Sequence, residues 1–168
     1  MNPAPSILVG TAHRTVWIRV EGKGSFQNST GMRTFAKEMM NRGFREFVVD
    51  LGHCPVMDST FMGTLAYIAQ GLRELGQGQL NVIHLNERNR DLLCNLGFDQ
   101  LFALEEAEPP PGAQPALEEA LSTDSNDKAT RARTMLEAHE ALAEVNPANA
   151  AKFKDVLEFL RQDLHPAR

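Results

Sequence analysis

The first hundred residues alternate short apolar runs with longer amphipathic segments, and this alternation limits the fold more than any other feature of the chain. The apolar runs predict strands at Ile7–Val9, Thr15–Val20, Phe47–Leu51, Leu80–Leu85 and Leu101–Leu104. Apolar residues at helical spacing, with capping residues and glycine stops, predict helices at Asn28–Gly43, Ser59–Leu75 and Arg88–Leu96. For the first helix, Asn28 or Ser29 is the expected cap.

The resulting order of elements is β-β-α-β-α-β-α-β. Strands that are separated by helices of this length pair in parallel through right-handed crossovers. The first two strands are close enough in sequence to form an antiparallel hairpin. We therefore predict an α/β fold, with a mixed sheet and with helices packed mainly on one face.

The last third of the chain has a different character. A linker rich in Pro and Glu spans residues 105–124, and it follows a first domain at 1–104. Within 125–168 the pattern predicts helices at Asp127–Val145 and Pro147–Leu164, because Asn146 and Pro147 form a strong helix start. The two helices predict a C-terminal α-helical hairpin. The apolar faces of this hairpin must pack against something: the first domain, a second copy in a homodimer, or a partner.

Charge and composition exclude several classes of protein. The chain has 168 residues and a net charge of −5. Residues 1–104 carry 10 Lys or Arg and 9 Asp or Glu, whereas residues 105–168 carry 7 and 13. A nearly neutral first part without a basic stripe argues against nucleic acid, and an acidic tail argues against an anionic membrane surface.

The sequence also predicts a cytoplasmic protein. No apolar run approaches the roughly 20 residues of a membrane span, and the N-terminus lacks the layout of a signal peptide. Two cysteines, Cys54 and Cys94, fit a reducing compartment. Both stand in apolar surroundings, so we expect two buried free thiols.

A series of motifs runs from Phe47 to Phe102. An apolar strand ends in Asp-Leu, and about six residues later Met-Asp-Ser-Thr-x-x-Gly opens a helix. An Asn-x-x-x-Arg helix and the run Leu-Gly-Phe-Asp-x-Leu-Phe follow. In order and spacing these motifs closely resemble those of STAS domains, the anti-sigma-factor antagonists. The resemblance covers roughly residues 5–104, leaves the tail outside, and implies a STAS-like mixed sheet.

Ser59 is the residue on which the functional prediction depends. It follows a loop and precedes a helix, so it is a good candidate for an N-cap. A helix N-terminus also tolerates a phosphate, which adds about −1.5 to −2 of charge without unfolding the domain. Spacing alone favours the plain cap. The resemblance implies the phosphorylated serine instead, because that serine directly follows the family's Asp, which is Asp58 here.

The resemblance also implies which residues bind the partner. Thr60 is the alternative phosphoacceptor, and Asp58 belongs to the surface that the kinase recognises. The whole predicted partner-binding set is Asp58, Ser59, Thr60, Phe61, Met62, Gly63 and Ser25.

Two positions depart from the family pattern. Phe61 stands where many members have glycine, and it predicts a more hydrophobic docking site. The run from Gly22 to Ser25 stands where the family often reads Gly-Glu-Leu-Asp, so Ser25 replaces an acid. If that acid assists phosphotransfer in relatives, its replacement favours a STAS protein that only binds.

Other chemistry finds little support in the sequence. The five histidines are far apart and show no metal-ligand spacing. Gly22-Lys23-Gly24 is a turn and not a nucleotide-binding loop, and no Ser-His-Asp or Cys-His arrangement is legible. We therefore expect no metal, no cofactor and no enzymatic activity.

Two functions remain open at this stage. The first is a partner-switching anti-sigma factor antagonist, which binds an anti-sigma factor that is a serine kinase of the histidine-kinase-like ATPase type. Phosphorylation of Ser59 releases the partner, and a phosphatase resets the switch. The second is a non-phosphorylated STAS subunit that docks on an ATPase or scaffold complex, for example in lipid transport.

Overall fold

The first two strands form a hairpin. In this computed structural model, which describes residues 6–104, 119–120 and 128–164, β1 (Ser6–Ala12) pairs antiparallel with β2 (Thr15–Glu21). The loop between them has two residues, because Ala12 lies opposite Thr15. One of the two, His13, has a φ of 57°, the left-handed backbone that tight hairpin loops require. The predicted hairpin is confirmed.

Three helices carry the chain between the remaining, parallel strands. The elements that follow the hairpin are α1 (Phe26–Asn41), β3 (Glu46–His53), α2 (Ser59–Glu74), β4 (Gln79–Ile83), α3 (Glu87–Asn95), a 3₁₀ turn (Phe98–Gln100) and β5 (Ala103–Leu104). β3 pairs in parallel with β2 and β4, and β4 with β5. The strand order is β5-β4-β3-β2-β1-β6, in which β6 (Glu119–Ala120) pairs antiparallel with β1. The predicted mixed sheet is therefore confirmed.

The strands place alternate residues on the two faces of the sheet. On β2, Val16 and Ile18 lie in the main core, whereas Trp17 packs on the opposite face with Val48 and Ile83. The main core also contains residues of α1, α2 and α3. The helices thus cover mainly one face, as the sequence predicts.

Helix α1 begins earlier than predicted. Its first residue is Phe26, and its N-cap is Ser25 rather than Asn28 or Ser29. The Ser25 hydroxyl accepts a hydrogen bond from the Gln27 N–H, and the Asn28 side chain accepts one from the Ser25 N–H. This reciprocal capping box determines the start of the helix. This start was not predicted, because the apolar stripe of α1 begins only further along the helix.

The C-terminal helices partly follow the prediction. They are α4 (Lys128–Val145), α5 (Pro147–Lys152) and α6 (Lys154–Leu164), and Asn146 is the N-cap of α5 as expected. The second predicted helix is interrupted at Phe153, whose ψ of 16° departs from helical geometry. Prediction of one continuous helix was wrong at this residue, since an apolar stripe continues across a local break of this kind.

The hairpin packs on the first domain. Helix α4 lies along α2, and its Leu142 is fully buried in the main core. Asn149 Nδ2 donates to the carbonyl oxygens of Leu96 (2.9 Å) and Leu142 (2.8 Å). Of the three covers considered for the hairpin, the structure shows the first domain. A homodimer through these helices stays a prediction.

The predicted linker at 105–124 lies almost entirely outside the described residues. The part that is described, Glu119–Ala120, is strand β6, which the sequence analysis did not predict. The expectation for the cysteines also needs a correction, because Cys54 is a buried free thiol but Cys94 is exposed. Among the described helices, none is long and apolar enough to cross a membrane.

Candidate functional site

The loop that leads into α2 is held from two sides. The Gly24 N–H donates to the Val56 carbonyl (3.0 Å), and the Gly24 carbonyl accepts from the Asp58 N–H (2.9 Å). On the other side, Asn89 of α3 donates from Nδ2 to the Cys54 carbonyl (2.8 Å). Because backbone groups satisfy one another here, the start of α2 has a defined position beside the β2–α1 loop.

Asp58 connects the N-termini of two helices. Its Oδ1 accepts a hydrogen bond from the Phe61 N–H of α2 (2.8 Å), and its Oδ2 accepts one from the Phe26 N–H of α1 (3.0 Å). A carboxylate is favourable at both places, since each helix N-terminus has unpaired N–H groups and a partial positive charge. Asp58, and not Ser59, is thus the N-cap of α2. Both of its oxygens are engaged within the domain.

Ser59 is the first residue of α2, and its hydroxyl contacts the C-terminal extension. Ser59 Oγ lies 2.9 Å from Nε2 of His139 in α4. His139 Nδ1 lies 2.6 Å from the Met135 carbonyl oxygen, which can only accept, so Nδ1 carries the hydrogen. In the neutral imidazole Nε2 is then the acceptor, and Ser59 donates its hydroxyl proton to it. The ring is buried, with only 4% of His139 exposed.

The contact between Ser59 and His139 belongs to a longer polar interface along α4. Thr134 and Thr30 approach through their hydroxyls (3.1 Å), and Glu137 pairs with Arg33 of α1. The Arg33 guanidinium also stacks 4.7 Å above the ring of Tyr67. Side-chain hydrogen bonds and an ion pair therefore hold α4 over both α1 and α2.

Gly63 lets α4 approach the start of α2 closely. A Cβ at Gly63 would lie 2.8 Å from the Ala138 Cβ and inside the contact distance of the Ala138 carbonyl. About two turns further on, Gln70 Nε2 donates to the Ala141 carbonyl (3.0 Å). The glycine of the Met-Asp-Ser-Thr-x-x-Gly motif thus has a packing role in this chain, because only a residue without a side chain fits beneath α4.

Most of the predicted partner-binding residues are covered. Asp58 and Ser59 are half-buried, whereas the buried members of the set are Ser25, Thr60, Phe61, Met62 and Gly63. The Phe61 ring packs against Gly24, where an added Cβ would lie 2.8 Å from the ring. The aromatic side chain at this departure from the family pattern is fully buried in the main core. Its assignment to a partner surface stays a prediction.

Ser25 occupies the position at which the family often has an acid. Its side chain is buried and caps α1, as described above. At the end of the β2–α1 loop this chain therefore has a capping hydroxyl, and not a carboxylate.

Two residues near the site were missed by sequence reasoning. His139 was not among the predicted site residues, because its contact with Ser59 joins residues that are 80 positions apart. Phe26 was not among them either, yet 37% of it is exposed and its N–H donates to Asp58. A signal for Phe26 did exist, since it directly follows the capping serine and lies outside the apolar stripe of α1.

A metal site and a ligand cavity are the other kinds of site to consider. Among the residues that the structure describes, no three His, Cys, Asp or Glu side chains come together as ligands for a metal ion. A cavity of about 450 Å³ between α1, α2 and α4 is lined by Lys37, Tyr67 and Glu140, and neither Ser59 nor His139 lines it. The serine–histidine pair is therefore separate from this cavity.

Comparison with known proteins identifies the class. The profile of the STAS domain matches residues 6–109, which is more than half of the chain. The chain therefore belongs to the STAS-domain family. No curated protein sequence matches it.

Solved structures show a similar fold. The crystal structure of a Thermotoga maritima protein, TM1081, provisionally described as an anti-sigma factor antagonist, has 15% identity and a TM-score of 0.55 over 58% of this chain and 84% of that one. The NMR structure of the same protein has 16% identity and a TM-score of 0.54, over 59% of this chain and 79% of that one. The structure of the anti-sigma factor antagonist SpoIIAA in its unphosphorylated form has 16% identity and a TM-score of 0.52, over 61% of this chain and 89% of that one. At such identities the similarity concerns the fold.

Proposed function

We propose that this STAS-domain protein is an anti-sigma factor antagonist that acts in the cytoplasm as a binding protein and not as an enzyme. It binds an anti-sigma factor with serine-kinase activity, and phosphorylation of Ser59 releases that partner. The observation that carries the proposal is the position of Ser59, directly after Asp58 in the first turn of α2. A phosphate there lies at a helix N-terminus, where negative charge is favourable.

The chemistry of the switch belongs to the partner. The kinase, of the histidine-kinase-like ATPase type, transfers the γ-phosphoryl group of ATP to Ser59 Oγ. The new bond joins Oγ to phosphorus, the bond from phosphorus to the bridging oxygen of ADP breaks, and a base of the kinase takes the hydroxyl proton. A phosphatase hydrolyses the ester with water and restores the hydroxyl.

Burial favours Ser59 over Thr60 as the acceptor. Thr60 is 6% exposed and points into the packed side of α2, whereas Ser59 is half-buried at the start of the helix. A kinase reaches Ser59 with a smaller rearrangement of the domain. Thr60 thus remains the less favourable alternative.

The first test is phosphorylation itself. We expect that incubation of the full chain with ATP and a candidate kinase adds one phosphate, and that Ser59→Ala abolishes the gain because it removes the acceptor oxygen. Intact-mass analysis gives the result. Since Asp58 caps α2, Ser59→Ala keeps its fold, and Thr60→Ala is the matched control that still accepts phosphate.

Phe26 is a candidate anchor for the partner. Exposed aromatic residues dominate interface energetics, and Phe26 is linked to Asp58 through its N–H. We expect Phe26→Ala to weaken binding of the anti-sigma factor by about tenfold or more, the size of an interface hot spot. Calorimetric titration measures the change.

The control for this prediction is Phe159→Ala on α6. Phe159 is an exposed phenylalanine, at 66%, remote from Ser59 along the chain. Equal effects of the two changes would show that Phe26 is not part of the docking surface.

One observation favours a second candidate function. Helix α4 covers the start of α2, and its His139 is hydrogen-bonded to the Ser59 hydroxyl. A STAS subunit that docks permanently on an ATPase or scaffold has no need for an accessible serine. This candidate predicts that the chain gains no phosphate and that its complex persists in ATP.

A further inference from the structure

We propose that helix α4 is an intramolecular cap on Ser59. The cap lifts from α2 before Ser59 is phosphorylated, and the phosphate then prevents its return. This inference rests on the proposed function for the identity of the modified residue. It gives the C-terminal extension a regulatory role that lies outside the STAS domain itself.

The Ser59 hydroxyl is turned away from any kinase while α4 is docked. Its proton is donated to His139 Nε2 at 2.9 Å, and the Met135 carbonyl holds the ring in the tautomer that accepts it. Phosphoryl transfer requires instead that a base of the kinase accepts this proton while the oxygen attacks phosphorus. The hydrogen bond to His139 therefore has to break first. Because the His139 ring is buried against the serine, access for a kinase also requires α4 to move away from the start of α2.

The interface beneath the first part of α4 is of a kind that can open. Apart from His139, the buried residues of α4 that face α1 and α2 here are small, namely Ala132, Thr134 and Ala138. The side chains that bridge the interface are polar: Thr134 to Thr30 and Glu137 to Arg33. Small side chains bury little apolar surface, so the hydrophobic cost of separation is low. After separation, the hydroxyls and the ion pair regain water as a partner.

The other end of α4 is anchored much more firmly. Leu142 is fully buried in the main core, and Asn149 donates to Leu96 beyond the helix end. Leu136 packs instead against Leu157 and Leu160 of α6. The structure therefore points to a lifting motion in which α4 and α6 move together about the end near Leu142.

A phosphate on Ser59 prevents the cap from closing again. Ser59 Oγ already lies 2.9 Å from Nε2 of the buried His139 ring, so there is no room for a phosphoryl group on this oxygen while the ring stays in place. The phosphate also adds about −1.5 to −2 of charge next to the Asp58 carboxylate. Both effects act at a place where the Ala138 backbone already touches Gly63.

The decisive experiment needs no kinase. Phosphoserine is installed at position 59 of the full chain by codon reassignment, and amide hydrogen exchange is followed by mass spectrometry. We expect exchange in residues 130–140 to rise by about tenfold or more, because local opening becomes easier. Phosphoserine at the exposed position of Thr11 is the control for added charge, and it leaves α4 unchanged. Unchanged protection of α4 with phosphoserine at 59 overturns the proposal.

A matched pair of glycine variants tests the same cap from the other side. Gly63→Ala places a methyl group against the α4 backbone, whereas Gly71→Ala, also in α2, meets only the flexible end of Met40 at 3.4 Å. We expect Gly63→Ala to raise exchange in residues 130–140 and to speed phosphorylation of Ser59 several-fold. Gly71→Ala changes neither. If Gly63→Ala does not fold, Glu137→Gln weakens the pair with Arg33 and gives the same direction of change.

The outcomes separate the two proposals. Absence of phosphate from every variant, with α4 opened by phosphoserine, supports the cap as a physical device and counts against the kinase switch. Rapid phosphorylation of the unaltered chain, with equal rates in Gly63→Ala, overturns the cap and leaves the kinase switch intact.

Discussion

At the scale of single residues, neighbours in the sequence have different tasks. Asp58 caps α2 and also bonds to the first N–H of α1, so it stabilises two helix ends at once. This leaves the adjacent Ser59 without a capping role, and its hydroxyl is used by His139 instead. A helix start alone does not show which residue is the cap, and the hydrogen bonds of Asp58 show that the cap is not Ser59.

The two cysteines provide a prediction at the same scale. Burial raises the pKa of the Cys54 thiol above its ordinary value, whereas Cys94 is exposed. Because only the thiolate reacts readily, we expect iodoacetamide to modify Cys94 and to spare Cys54 in the native chain at mildly alkaline pH. Peptide mapping by mass spectrometry reads the result, and modification of both in urea is the control.

The raised pKa of Cys54 also has a consequence for stability. The unfolded thiol loses its proton at a lower pH than the folded one, so the folded state favours the neutral form. This contribution is complete below the ordinary thiol pKa, and it is lost as the pH rises through the folded pKa. Native modification of Cys54 at the rate of Cys94 would contradict this account of its burial.

At the scale of elements, the C-terminal hairpin shows how a local signal and a tertiary contact combine. Asn146 and Pro147 predict the start of α5, and the structure confirms it. Nothing local predicts that Asn149, one turn later, reaches the Leu96 and Leu142 carbonyls. This one amide fastens the hairpin to the end of α3.

Loss of that amide is a test of how the hairpin is anchored. We expect Asn149→Ala to lower the free energy of unfolding by about 2–3 kcal/mol, because two buried carbonyls lose a donor. Denaturant titration measures the change. Asn95→Ala, at an exposed position of α3, is the control and should cost well under about 0.5 kcal/mol. Equal effects at both positions would contradict the anchoring role.

At the scale of the whole molecule, the periodicity of the first hundred residues predicted the fold closely. Five strands and three helices occur in the predicted order, with ends that differ by a few residues. The parallel pairing follows from connection length, and the two faces of β2 follow from alternation of its residues. The missing pieces were β6 and the break at Phe153, for which the local pattern carries no signal.

The candidate site also has one part that the sequence predicted and one part that it did not. The motif around Asp58, Ser59 and Gly63 was legible because it is a contiguous stretch at a helix start. The sequence by itself thus determined the strand–helix order, the family likeness and the start of the helix at Ser59, since each depends on residues that are near one another in the chain.

Only the tertiary structure decided what surrounds that serine. In the folded chain His139 is hydrogen-bonded to the Ser59 hydroxyl, the α4 backbone packs against Gly63, and Phe61 is buried in the core. These contacts join residues far apart in sequence, and they depend on which face of α2 is left for α4 once the sheet has taken the other. No local pattern encodes that choice. An amphipathic sequence shows that one face of a helix must be covered, but it does not show which element covers it.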